Sequence, residues 1–222
     1  WFAAGKILSA HDHSRMDGCF DEISRGATAW RGGAGRSDGP VWNRGRKIRF
    51  APMTAALFRR SLFGEVGVLD EQFGSYMEDV EFGLRCAIAG LGGVYVPEAV
   101  AWHQGSATLG RWNKDTVRLL ARNQVLLAAK HFRGMRRWPI VVGQLLWGLV
   151  AIRHGRALAY VRGKAQGLKL ARHNARVCNA VDPRSIARLT EIVAESERSI
   201  FELQRETGFD GYWRAYFWLS RR

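Results

Sequence analysis

Apolar residues in 78-EDVEFGLRCAIAG-90 recur at helical spacing. Val80, Leu84 and Ala87, with Ile88, fall on one face, and Gly90 suits the position just past a helix end. Shorter apolar runs surround this segment. GKIL (5–8) and GVYVP (93–97) read as strands, the second stopped by Pro97, and AVAWHQGSA (99–107) reads as a strand entering a loop. KIRFAPMTAALFRR (47–60) reads as a buried strand with small residues at its middle, followed by a turn of helix at SLFGEVG and the loop VLDEQFGSYM. Residues 9–47 are rich in Gly, Asp and Arg and read as a long loop, with Gly32, Gly33 and Gly35 as flexible positions. Strands alternating with short helices predict an α/β unit over residues 1–112.

From Asn113 onward the pattern is helical. NKDTVRLLARNQVLLAAKHF (113–132) carries a stripe of Val117, Leu120 and Leu127. WPIVVGQLLWGLVAI (138–152) is almost wholly apolar and is bracketed by Arg136, Arg137, Arg153 and Arg156. RALAYVRGKAQGLKLARHNARV (156–177) is a basic helix. Pro183 opens a further helix ending at Gly208, and the tail GYWRAYFWLSRR is strongly aromatic. The expected division is therefore 1–112, an α/β unit, and 113–222, a helical extension.

Charge sharpens this division. The chain's net +14 is concentrated: residues 113–181 hold 14 Lys and Arg against one acid, whereas the segments on either side are nearly neutral. Such a segment asks for an anionic surface, either lipid headgroups or nucleic acid. The three cysteines, Cys19, Cys86 and Cys178, are too far apart for zinc spacing and odd in number, which favours a reducing compartment. The opening WFAAGKIL has neither a signal-peptide pattern nor a methionine, so residues upstream are expected.

The candidate chemistry lies in the acid pair Glu78–Asp79 and in His103. A carboxylate leading a helix is favoured in its charged form by the backbone N–H groups and the macrodipole; it serves either as an N-cap or as a base for a hydroxyl nucleophile. On this reasoning the pair is expected to stay ionised near neutral pH. His103, at a strand end facing a loop, is either a metal ligand or a satisfied surface residue. His11 and His13 beside Asp12 read as loop surface.

Taken together, the run FAPMTAALFRRSLFGEVGVLDEQFGSYMEDVEFGLRCAIAGLGGVYVPEAVAWHQGSA resembles the second half of a family 2 glycosyltransferase domain of GT-A fold. The matching positions are Gly67, Asp70, Glu71, Phe73, Tyr76, Glu78, Asp79, Arg85, Gly90, Pro97 and His103, in that order. The resemblance implies an incomplete GT-A, Rossmann-like catalytic half followed by an α-helical extension. It also implies inverting transfer of a sugar from a nucleotide-diphosphate sugar to a saccharide or lipid-linked saccharide acceptor, in cell-envelope or exopolysaccharide synthesis. Asp79 would be the catalytic base, and Glu78 would support it or contact the acceptor. Asp70 and Glu71 would contact sugar hydroxyls. Tyr76 and Trp102 would offer stacking surfaces, unless they are core. His103 would help hold Mg²⁺ or Mn²⁺ on the donor diphosphate.

One element of the family's pattern is missing. The other metal ligands sit on an Asp-x-Asp motif that precedes a segment like GKIL, and no Asp-x-Asp occurs in this sequence. The chain is thus expected to carry the acceptor side of the site and to be inactive alone.

The run 138–152, at 15 residues, is shorter than the roughly 20 needed to span a bilayer. It is expected either to lie in the interface, with Trp138 and Trp147 at headgroup level, or to pack as a buried helix. The resemblance favours the first, and with it a cytoplasmic location peripheral to the inner face of the cell membrane. No nucleic-acid-binding signature accompanies the basic segment, so nucleic acid is not an expected partner. The competing class is a non-catalytic module, binding membrane or nucleic acid and derived from a transferase half.

Overall fold

The computed structural model describes residues 1–105, 112–175 and 183–221. Cys178 lies outside them. The central sheet holds five strands: β1 (Phe2–Ser9), β2 (Met16–Gly18), β5 (Arg46–Ile48), β6 (Ala56–Phe58) and β7 (Gly93–His103). β1 and β7 run parallel at its centre, β2 and β6 pair antiparallel with β1, and β5 pairs antiparallel with β7. A separate hairpin joins β3 (Asp21–Ile23) to β4 (Ala29–Arg31). The helices are α1 (Leu62–Val66), α2 (Glu78–Ile88), α3 (Lys114–His131), α4 (Arg137–Arg153), α5 (Ala157–Ala175), α6 (Pro183–Thr207) and α7 (Gly211–Leu219). The expected α/β half followed by helices is what the chain adopts.

Several local expectations are corrected. Residues 47–60 form two three-residue strands, β5 and β6, because Pro52 between them offers no N–H to a ladder. Residues 93–103 form one strand through Pro97. Gly5 pairs with Val96 and Lys6 with Val100, so Pro97 sits in a bulge and no ladder bond is lost. The supposed loop 9–47 contains β2, β3, β4 and a 3₁₀ turn at Pro40–Asn43, all too short to show alternation in sequence. Two of the glycines expected to be flexible, Gly32 and Gly33, are packed, whereas Gly35 is exposed with open space around it. A Cβ on Gly32 would meet Cys19 Sγ at 3.1 Å, and Gly33, at φ +79°, lies against Met16.

α2 is the pivot of the fold. It is buried nearly all round, with Val80, Glu81, Phe82, Gly83, Leu84, Cys86 and Ala87 out of solvent. Phe82 and Cys86 join a cluster with Phe2, Phe20 and Tyr95 from the α/β half and Ile200, Trp213 and Tyr216 from α6 and α7. Val80, Leu84 and Ala87 join a second cluster with Phe50, Phe73, Leu127 and Val193. Both clusters draw on residues from either side of position 112. The aromatic tail belongs to the core: the Tyr216 hydroxyl donates to Glu197 (2.9 Å), whose carboxylate also binds Arg25. Burying Glu81 inside this helix requires compensation, and it accepts from Arg85 (3.0 Å), Lys130 (2.7 Å) and His131 (2.9 Å). Although burial opposes its charge, these donors hold the carboxyl down to about 2.

Candidate active site

Glu78 and Asp79 occupy the first turn of α2. Neither is the N-cap. That place is taken by Met77, which follows Tyr76, and both residues have positive φ (+71° for Tyr76 and +68° for Met77). Two consecutive non-glycine residues in the left-handed region store strain of roughly 1–3 kcal/mol each. They persist here because Asn123 of α3, fully buried, donates to the carbonyls of Phe73 (2.9 Å), Ser75 (2.9 Å) and Tyr76 (2.6 Å). Arg122 adds further bonds to the carbonyls of Gln72 and Phe73. The loop that aims the acid pair is therefore fastened by α3.

Asp79 points into the protein, its side chain 13% exposed. One oxygen accepts from the Val80 N–H (2.9 Å), and the other faces Arg31 Nη2 at 3.4 Å. Arg31 is itself held by Asp21 in a two-pronged pair, Nε to Oδ1 at 2.9 Å and Nη2 to Oδ2 at 3.1 Å. Asp21 and Arg31 face each other across β3–β4, which fixes the pair. Gly18 makes room for the arginine: a Cβ there would meet Arg31 Cδ at 2.4 Å.

The electrostatics differ from the expectation of a fully ionised helix-leading pair. Burial, then the neighbouring charge of Asp21, push Asp79 up to about 7 against the pull of Arg31. Burial also raises Glu78, one of whose oxygens is buried without a hydrogen-bond partner. The helix N-terminus favours charge by about 2 kcal/mol at most, and removal from water outweighs it.

His103 ends β7, and its Nδ1 lies 2.9 Å from Asp17. Gly18 pairs with Ile7 and Met16 with Leu8, so Asp17 is the extra residue of a bulge in β2, turned toward His103. The charge of Asp17 also acts on Arg31. Asp79, Arg31 and Asp21 thus form one connected group with Glu78 beside it, and His103 and Asp17 form a second pair whose carboxylate charge is felt at Arg31. An imidazole whose Nδ1 is engaged by a carboxylate presents Nε2 as a lone-pair donor, the usual pattern of a metal-binding histidine. Among the described residues, no group of three or more His, Cys, Asp and Glu side chains is arranged to hold an ion.

The remaining expected residues lie outside these two groups. Asp70 pairs with Lys130 (2.9 Å), on the network that serves Glu81. The Tyr76 hydroxyl shares a hydrogen bond with Thr116 (3.1 Å). Glu71 is exposed. Trp102 is exposed beside His13, and strand alternation turns it to the face opposite His103. Asp17, Asp21, Arg31 and Asn123 were not legible as site residues, since each acts on partners distant in sequence. The cavity of about 400 Å³ lined by Arg15, Arg36, Trp42 and Thr207 contains none of the acids.

Residues 38–163 match the family model described as glycosyl transferase family group 2. The chain is also similar to the N-acetylglucosaminyl-diphospho-decaprenol L-rhamnosyltransferases of Mycobacterium tuberculosis strains CDC 1551 / Oshkosh and ATCC 25618 / H37Rv. Each is 35% identical over 132 residues, a match covering 50% of this chain and 42% of the relative. The chain spans less than half the length of the curated relatives it matches. With a matched region that covers more than half of its residues and includes α2 and β7, this chain belongs to the glycosyl transferase family group 2.

Proposed function

We propose that this chain forms the acceptor side of an inverting glycosyltransferase that moves a sugar from a nucleotide-diphosphate donor to a saccharide hydroxyl. The observation that carries the reading is Asp79: a carboxylate at the head of a buried helix, facing an Arg31 that Asp21 also binds, and raised to about 7 by burial and the charge of Asp21. A base of that strength takes the acceptor's proton as the hydroxyl attacks, near the pH at which the transfer must run. Arg31 and Asp21 position and tune it. Glu78 supports it from the same turn. Glu71 and Trp102 are exposed but lie away from Asp79, and Asp70 and Tyr76 are already engaged by the protein.

His103, oriented by Asp17, would contribute to holding Mg²⁺ or Mn²⁺. The free ring nitrogen would be one ligand of an ion whose other ligands come chiefly from the donor diphosphate oxygens. When bound, such an ion neutralises charge on the leaving nucleoside diphosphate.

The names of the relatives support L-rhamnosyl transfer to N-acetylglucosamine on a polyprenyl diphosphate as the first donor–acceptor pair to test. The reaction would then run at the inner face of the cell membrane during envelope synthesis. The decisive experiment is Asp79→Asn in the complete protein. Turnover should fall roughly 10²–10⁴-fold with donor binding retained. Wild-type turnover in that variant would refute the assignment.

A further inference from the structure

α4 and α5 form a hairpin that carries apolar residues on its solvent-facing side as well as on its inner side. On α4 the inward positions are Val142, Gly143 and Ala151, together with Gln144. The Gln144 amide donates to the Gly26 carbonyl (2.8 Å), and its oxygen accepts from Lys164 of α5. Lys164 also reaches Gln124 of α3 (2.9 Å). On α5 the inward positions are Gly163 and Gly167, pressed so closely on α3 that a Cβ would meet the Arg118 and Arg122 carbonyl oxygens at 2.2 and 2.6 Å. The inner faces are fixed by backbone contact and polar bonds together with the packing of Val142, Leu146 and Ile140 on the core.

A second set of apolar residues points outward. Leu145, Leu149 and Ile152 recur at spacings of four and three on α4, and Leu158 and Val161 open α5; each is 60–66% exposed. Trp138 starts the stripe, and its indole donates to the Leu219 carbonyl at the end of α7, next to the exposed Trp218. Exposed Arg137, Arg153, Arg162, Lys169 and Arg172 accompany the stripe. No acid occurs anywhere from residue 116 to 181. An apolar stripe of this kind, rimmed by bases and aromatic rings without a single acid, matches the acyl–headgroup boundary of an anionic bilayer. No helix among the described residues is long and apolar enough to cross a membrane, so the pair would lie along the surface.

We infer that the outer face of the α4–α5 hairpin docks this chain on an anionic lipid surface, with α4 and α5 in the membrane plane. The inference agrees with the membrane-side reaction proposed above, but its test reads binding alone, so it can fail or survive separately from catalysis.

The test is flotation of the 222-residue chain with phosphatidylcholine vesicles, with and without phosphatidylglycerol. Binding should require phosphatidylglycerol and weaken with salt. The pair Leu145→Ser and Leu149→Ser should lower partitioning roughly tenfold or more. Arg153→Gln, Arg162→Gln and Lys169→Gln should each lower it about fivefold on anionic vesicles. Unchanged melting of these surface variants would show that the fold is intact. Absence of binding at low salt, or equal binding by all variants, would overturn the inference. So would self-association lost in the leucine variant without vesicle binding, which would place a second copy on this face. Binding to duplex DNA in place of vesicles would overturn it likewise.

Discussion

Replacing Asp79 by asparagine should change how stability depends on pH, and this can be measured without any substrate. In the folded chain Asp79 titrates at about 7, against an ordinary value of 3.8. Between these values the folded state holds a proton that the unfolded state has released. Stability therefore falls as pH rises through that window, by up to about 1.4 kcal/mol per pH unit, and does not vary with pH through this group below the window or, at the lowered level, above it. The full window sets an upper limit of about 4 kcal/mol. The carboxamide of the Asp79→Asn variant cannot titrate, so the variant should gain about 2–4 kcal/mol relative to wild type on going from about pH 4 to about pH 8. Glu22, also pushed up to about 7 by burial, is present in both proteins and cancels in the difference. Urea unfolding at a series of pH values supplies both curves. Parallel curves would refute the argument, because they would mean that Asp79 ionises as freely in the fold as in the unfolded chain.

Two further predictions concern the frame around the site. Asn123→Ala leaves the carbonyls of Phe73, Ser75 and Tyr76 without their shared donor, and should cost about 2–4 kcal/mol, read as a lower denaturant midpoint. A midpoint within error of wild type would mean that the positive-φ pair holds its shape unaided. Glu81, held down at about 2, has the opposite linkage to Asp79: its contribution is present above the ordinary 4.5 and disappears as pH falls toward 2. Glu81→Gln should therefore destabilise by about 3–5 kcal/mol at neutral pH and by much less in acid, which thermal melts at two pH values would check.

The parts of this protein that its sequence determined are those governed by neighbours in the chain. The apolar spacing of Val80, Leu84 and Ala87 specifies α2, and Gly90, at φ +78°, is the stop that its position suggested. The ordered residues from Gly67 to His103 were enough to place the chain in its family, and the apolar run 138–152 was visibly a helix bounded by arginines.

Tertiary structure decided what those residues do. Helix position alone predicted a freely ionised Asp79; the proximity of Asp21, 58 residues earlier, and the loss of water reverse that, because desolvation exceeds the pull of a helix terminus. Asp17 faces His103 only through a bulge, and Asn123 reaches its carbonyls 47 to 50 residues away. Which side of α4 meets solvent was likewise beyond periodicity, since both sides are apolar; the glycine contacts of α4 and α5 with the body of the protein settled it. Local pattern encodes backbone geometry, whereas proton affinity and exposure depend on the sum of everything the fold packs nearby.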